Sequence, residues 1–221
     1  MLNNIISVYP EILLALGQTM YMLIITLAIA IGIGTPLGTV LYLIRPGSTS
    51  YRPRLYVILD GVVNIVRSFP FLILMIAIIP FTRLIVGTAI GTTAVIVPLA
   101  ICAIPEFARL IEQTLLDVDK GVIEAAEAMG ANQLQIVWKV LYLEARSGIA
   151  NVITIMSVGF LSYSTVAGLV GGGGIGDFAI RYGYYRYQTD IMIATVLIIV
   201  VLVQIIQTTG NFAVRRLDKR R

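Results

Sequence analysis

The chain has 221 residues, 58% of them hydrophobic and only 13% charged, with a formal net charge of +4. An ordinary soluble domain is about 25% charged, so the composition excludes one and calls for segments buried in lipid. There is no histidine and one cysteine, Cys102, which excludes imidazole metal ligands, histidine proton relays, Ser-His-Asp catalysis and a disulfide framework.

Five apolar runs, at residues 12–44, 55–80, 84–114, 148–170 and 191–214, are candidates for membrane spans, since a crossing takes roughly 20 mostly apolar residues. The runs are continuously apolar, not alternating, which predicts an all-α integral membrane protein and sets aside a closed β-barrel. No Lys or Arg precedes Arg45, so the basic region of a cleaved signal peptide is lacking and the first run is expected to be a retained span.

That first run would measure roughly 50 Å as one helix, against a hydrocarbon core of about 30 Å. Gly32, Gly34, Pro36 and Gly38 lie along it, predicting a kink or a close approach by a neighbouring helix. Pro46-Gly47-Ser48 and Pro53 mark a short loop.

The second run carries Asp60, Asn64 and Arg67 at i, i+4 and i+7, which places all three on one helix face. Charges inside a membrane are costly and turn toward a protein interior or an aqueous cavity. These three are therefore candidate pathway-lining or interhelical residues, with the interface or a neighbouring span as the plainer setting for Asp60. Ser68-Phe69-Pro70 follows Arg67 and should distort the helix. In the third run, Glu106, Arg109 and Glu112 are spaced for local ion pairs, read as structural.

Residues 115–147 form a water-facing loop. Asp119 can cap a first helix and Gly130 can stop it; Ala125, Ala126 and Ala128 would let that helix settle into a groove. Asn132 with Gln135 spells a capping box for a second helix, whose Leu134, Val137, Trp138 and Leu141 fall at helical spacing. Glu124, Glu127 and Glu144 outnumber Lys139 and Arg146. Anionic lipid would repel such a surface, so a protein partner is the expected neighbour.

Beyond the fourth run come Gly171, Gly172, Gly173 and Gly174, flanked by Gly168 and Gly176. A phosphate-binding loop needs Gly-Lys-Ser/Thr at its end, whereas Ile175-Gly176-Asp177 follows here. No nucleotide site is read anywhere, and no cofactor is expected. The glycines, with the tyrosines at 182, 184, 185 and 187, suit an outer interface and a candidate docking loop.

Orientation follows from the basic residues. With the Glu124 loop inside, Arg45, Arg52, Arg54, Lys120, Lys139, Arg146 and the tail Arg215, Arg216, Lys219, Arg220 and Arg221 are cytoplasmic, against Arg83, Arg181 and Arg186 outside. The positive-inside rule then puts the N-terminus outside and the C-terminus in the cytoplasm. The basic tail faces membrane lipid with its anionic surface; no nucleic acid is expected.

The stretch VIEAAEAMGANQLQIVWKVLYLEA from Val122 resembles the "EAA loop" of bacterial ABC-importer permeases, whose pattern is Glu-Ala-Ala, three residues, Gly, nine residues, then Ile-x-Leu-Pro. Glu124-Ala125-Ala126, Gly130 and Val140 keep the register, while Tyr142 and Leu143 stand where the pattern has Leu and Pro. NIVRSFPF from Asn64, IPFTRLIVGTAIG from Ile79 and YGYYRY from Tyr182 look like the methionine-import permeases of that family. The resemblance implies a single five-span permease domain over residues 1–221 of the bacterial cytoplasmic membrane, working as a homodimer. It also implies two cytoplasmic ABC ATPase subunits, each receiving a coupling helix, so that hydrolysis is not this chain's own activity. An extracytoplasmic substrate-binding protein would deliver methionine or a related amino acid. Glu124, Ala125, Ala126 and Gly130 carry over as coupling positions. The alternatives are a permease of the same type for another small substrate, and an ion-coupled secondary transporter. The latter would predict inverted repeats and paired mid-membrane carboxylates; Asp60 is the one acidic residue read well inside a run, and no repeat is evident.

Overall fold

The computed structural model describes residues 7–48 and 50–218, and all regular structure among them is helical. The tail residues Lys219, Arg220 and Arg221, assigned above to the cytoplasm, lie outside the described residues. Among the described residues, four helices are long and apolar enough to cross a membrane, and a fifth crossing is available only as a sharply bent pair.

The first span runs 36 residues from Tyr9 to Ile44. Helix α1 (Tyr9–Ile29) passes through a π-helical turn (Ala30–Gly34) into α2 (Thr35–Ile44). The wide turn falls just ahead of Pro36, whose missing N–H and ring disrupt the regular ladder there. Gly34 and Gly38 serve close packing: a Cβ at Gly34 would lie 2.9 Å from the Ile104 carbonyl oxygen, and one at Gly38 only 2.2 Å from that of Ala108. Gly32, by contrast, faces open space.

The expected second span, 55–80, is not one helix. Helix α3 (Pro53–Ser68) and helix α4 (Phe71–Ala77) meet at 102°. The break lies where Phe69 turns extended (φ −79°, ψ 129°), as a residue before proline prefers. A short α5 (Ile79–Val86) follows and ends at Gly87 with φ +82°. The third span therefore starts later than residue 84. Gly87 and Gly91, both at positive φ, interrupt the apolar run, and α6 extends over Thr92–Leu116.

Helix α6 is the centre of the molecule. Leu99, Ala103, Phe107, Ile111 and Leu115 along it are almost fully buried, and it packs against α1, α2, α3 and the fourth span, α10 (Arg146–Ala167). The last helix, α12 (Thr189–Leu217), lies on α10, where Gly210 lets Thr154 approach. Its far side, with Ile193, Leu197, Val201 and Ile205 exposed, is apolar as a lipid-facing surface must be.

The glycine loop is a packing element. Gly172 sits against the Ala167 carbonyl, while Gly173 and Gly174 sit against Gln18 and Thr19. The Gly174 and Ile175 N–H groups donate to Gln18 Oε1 and Thr19 Oγ1, both at 2.8 Å. Gly173 and Gly174 hold positive φ, so the loop needs glycine both for conformation and for room. It leads into α11 (Gly174–Ala179) and a further π-helical stretch, Ile180–Tyr185.

Candidate coupling surface and polar cluster

Between α6 and α10 the chain builds a short helical elbow. Helix α7 (Lys120–Ala128) is capped by Asp119, whose carboxylate accepts from the Gly121 N–H at 2.7 Å. Its end is a Schellman turn: the Gly130 N–H donates to the Glu127 carbonyl at 2.9 Å, and the Ala131 N–H to that of Ala126 at 3.0 Å. Gly130 takes φ +81° there. The next helix, α8 (Gln133–Ile136), opens on the expected capping box: Asn132 Oδ1 accepts from the Gln135 N–H and Gln135 Oε1 from the Asn132 N–H, each at 2.9 Å.

The elbow is tied to the body at one edge of α7. Ala126 is buried in the main core with Ile123 packed beside it. Ala126 is thus an inward anchor, while Glu124 and Ala125 are exposed. At 100° per residue, Gly121, Ala125 and Ala128 form a strip with almost no side-chain bulk that points away from the Ala126 anchor. Glu124 borders it on one side, Val122 and Met129 on the other. All of these are exposed, Met129 to 83%.

The apolar face expected on the second helix divides. Val137 and Leu141 enter the core, but Leu134 and Trp138 stay exposed at 72% and 68%. A π-helical stretch at Val137–Leu141 shifts the register by widening the turn, so residues at regular spacing no longer share one face. Trp138 packs edge-on against Tyr142, centroids 5.1 Å apart. Tyr142 also hydrogen-bonds the Thr39 hydroxyl at 2.7 Å. Since Thr39 already donates to the Thr35 carbonyl, Tyr142 is the donor. The residue that departs from the family pattern thus clasps the elbow to α2. With Leu143 in place of proline, the helical path continues through the short α9 (Tyr142–Glu144): Ala145 N–H still reaches the Leu141 carbonyl at 2.8 Å.

Behind the elbow, α3 and α6 share a polar cluster. Arg109 binds Glu112 at 2.6 Å, Asp60 in a short ion pair, and Asn64 at 3.2 Å. Asn64 in turn donates to Asp60 at 2.9 Å. The Arg109 and Glu112 side chains are only 15% and 4% exposed, so the pair is held where an unpaired charge would be costly. Asp60 and Asn64 are therefore interhelical groups satisfied from α6. Arg67 stands apart from them, near Glu106, on a cavity at the α3–α4 bend. The sequence reading missed Arg109 as the hub. The available signal was the polar face of α3 matched by one of opposite charge on α6.

At the far end, Tyr182 donates to Glu11 at 2.8 Å, with the Arg186 guanidinium 4.4 Å over its ring. Its hydrogen bond to Glu11, and next its burial, push the Tyr182 phenol above its ordinary range. Tyr184, Tyr185 and Tyr187 are exposed at 67–83%, so they, more than Gly172 or Gly174, offer surface to a partner.

Residues 34–221 match the family described as the binding-protein-dependent transport system inner membrane component. The probable D-methionine transport system permease protein MetI of Vibrio cholerae is 54% identical over 209 residues, 95% of this chain and 93% of that protein. The corresponding protein of Pasteurella multocida is 43% identical over 92% of this chain and 94% of its own length. Among solved structures, an inward-facing conformation of the MetNI methionine ABC transporter superposes with a TM-score of 0.94 at 40% identity, over 96% of this chain and 99% of the matched one. An amino acid ABC transporter superposes at 0.77 with 19% identity, a likeness of fold.

Proposed function

The chain belongs to the binding-protein-dependent transport system inner membrane component family, and we propose that it is the permease subunit of an ATP-driven importer for methionine or a closely related amino acid. Two copies form the translocation unit, each taking one cytoplasmic ABC ATPase on its α7 elbow. ATP hydrolysis resides on those ATPases, and a substrate-binding protein delivers its cargo to the opposite face. The elbow is cytoplasmic, with the N-terminus outside and the C-terminus inside.

The observation that carries this reading is the outward strip of α7. Gly121, Ala125 and Ala128 offer a helix face that can seat deeply in a cleft, with Glu124 at its edge to fix direction. Buried Ala126 and the Schellman turn at Gly130 fix the direction of that face, with α7 packed on the Val137–Leu141 stretch. A rigid elbow moves with the spans it joins, so drawing two elbows together changes which side of the membrane the pathway opens to. Such coupling is a differential affinity of the ATPase pair for two permease states.

Co-expression with the cognate ATPase, and purification through a tag on the permease, tests this directly. Co-elution that Glu124→Lys abolishes, with the variant still folded in detergent, is the expected result. A permease that elutes alone from a well-folded wild-type preparation overturns it.

A further inference from the structure

The second arm of the elbow, α8 and the π-helical stretch after it, leaves Leu134 and Trp138 exposed, and the bare strip on α7 does not involve them. With Ile31, Gly32, Pro36 and Leu43 of the first span they line an open groove of about 490 Å³. Its floor is low where Gly32 and Pro36 carry little bulk, and a Cβ built at Gly32 meets nothing within 4 Å. Gln133 bonds Ser50 at one end and Tyr142 bonds Thr39 further along, so the two walls are tied together.

The length and charge of the groove name its occupant. Its lining from Ile31 to Leu43 covers roughly 18 Å along the helix axis at 1.5 Å per residue, close to one leaflet of hydrocarbon, about 15 Å. It ends where α2 ends, at Ile44, and Trp138 and Tyr142 stand near that end as amphipathic rings do at a membrane interface. Three cations lie around it: Lys139 next to Trp138, and Arg52 and Arg54 just past Ser50. All three are exposed, and none forms an ion pair among the described residues. The acids of the elbow lie elsewhere: Glu124 and Glu127 on α7, and Glu144 on a separate cavity with Asp117 and Asp218. An apolar trench one leaflet deep with a cationic mouth fits an acyl chain below and a phosphate above. A second copy of the chain fits less well, since a two-fold contact centred here would bring the same cations face to face.

We propose that this groove is a binding site for an anionic phospholipid from the leaflet on the elbow's side. One acyl chain lies along Gly32, Pro36 and Leu43 beside Trp138, while Lys139, Arg52 and Arg54 hold the charge of the phosphate and headgroup. The proposal needs only that the elbow stands at a membrane surface, so it goes beyond the importer reading and does not rest on it.

The test places the permease, in complex with its ATPase, in nanodiscs of phosphatidylcholine with a minor share of phosphatidylglycerol. At one overall composition, an equal number of brominated acyl chains is carried by one lipid or by the other. Bromine quenches tryptophan on contact, Trp138 is the only tryptophan of the chain, and a Trp138→Phe preparation gives the background from the ATPase. Brominated phosphatidylglycerol should quench as if enriched about fivefold or more at Trp138, the worth of one basic side chain near an anionic surface. Lys139→Gln combined with Arg52→Gln and Arg54→Gln should bring the two lipids level, and raised salt should narrow the gap in the wild type. Gly32→Leu, which fills the groove from its open side, should reduce the enrichment although the cations stay. Equal quenching by the two lipids in the wild type, or an enrichment that the triple variant or Gly32→Leu leaves intact in a complex that still co-purifies, overturns the site. So does a Trp138 that neither lipid quenches, because a protein surface would then cover the groove.

Discussion

Gly130 isolates one physical cause. Its φ of +81° belongs to the left-handed region, and a Cβ built there meets nothing within 4 Å. Substitution therefore acts through the backbone alone. An L-residue other than Asn or Asp pays about 1–2 kcal/mol in that conformation, so Gly130→Ala should shift the Schellman turn toward alternatives by about 5- to 30-fold. Gly130→Asn should cost less, because Asn tolerates the left-handed region. Gly130→Pro should cost most, since it fixes φ near −65° and deletes the N–H that reaches the Glu127 carbonyl. The turn sets the angle of α7, so methionine imported per ATP hydrolysed in proteoliposomes should fall in the order Gly, Asn, Ala, Pro. Hydrogen exchange at the Ala131 amide should rise in the same order. Gly130→Ala with wild-type coupling, or Asn as damaging as Ala, would refute the argument that the left-handed turn aims the coupling helix.

The polar cluster gives a second prediction. Arg109→Met strands the buried Glu112 carboxylate beside Asp60, which should cost about 3–5 kcal/mol and lower the thermal midpoint of the purified protein; adding Asp60→Asn and Glu112→Gln should recover part of it. Gly38→Val drives side-chain atoms into the Ala108 carbonyl and should sharply reduce the yield of folded permease, whereas Gly32→Val, in open space, should not. Tyr142→Phe removes the Thr39 clasp and should cost about 0.5–1.5 kcal/mol, read as a lower midpoint with the α7 cap intact. Finally, the raised Tyr182 phenol means that its contribution to stability is fully present below the ordinary tyrosine value of 10.0 and is lost as pH climbs through the higher folded value. Tyr182→Phe should flatten that alkaline loss in a thermal titration.

The elbow was legible because its signals are local. Asp119, Gly130 and the Asn132–Gln135 pair act within three residues of themselves, and each does what its spacing implies. Spans were legible by length, but their ends were not. Phe69-Pro70 turned one expected crossing into two helices, and Gly87 with Gly91 cut residues 84–91 from the next. Hydropathy does not register backbone breaks inside apolar runs. The π-helical stretch at Val137–Leu141 defeated a prediction founded on a 3.6-residue period, leaving Trp138 outside. Arg109 is legible as a local partner of Glu112, which it is, but its reach across to α3 is not. Its partner Asp60 lies 49 residues away, so its role emerges only when α3 and α6 are brought side by side.

The central claim, that ATP bound elsewhere acts on this chain through α7, is tested most directly by reconstitution. Permease, ATPase and binding protein are placed in proteoliposomes, and uptake of labelled methionine is followed with and without ATP. Uptake that requires both ATP and the ATPase, and that Glu124→Lys abolishes while the protein remains folded, is the predicted result. Uptake by the permease alone, driven by a proton or sodium gradient and indifferent to Glu124→Lys, would contradict the account.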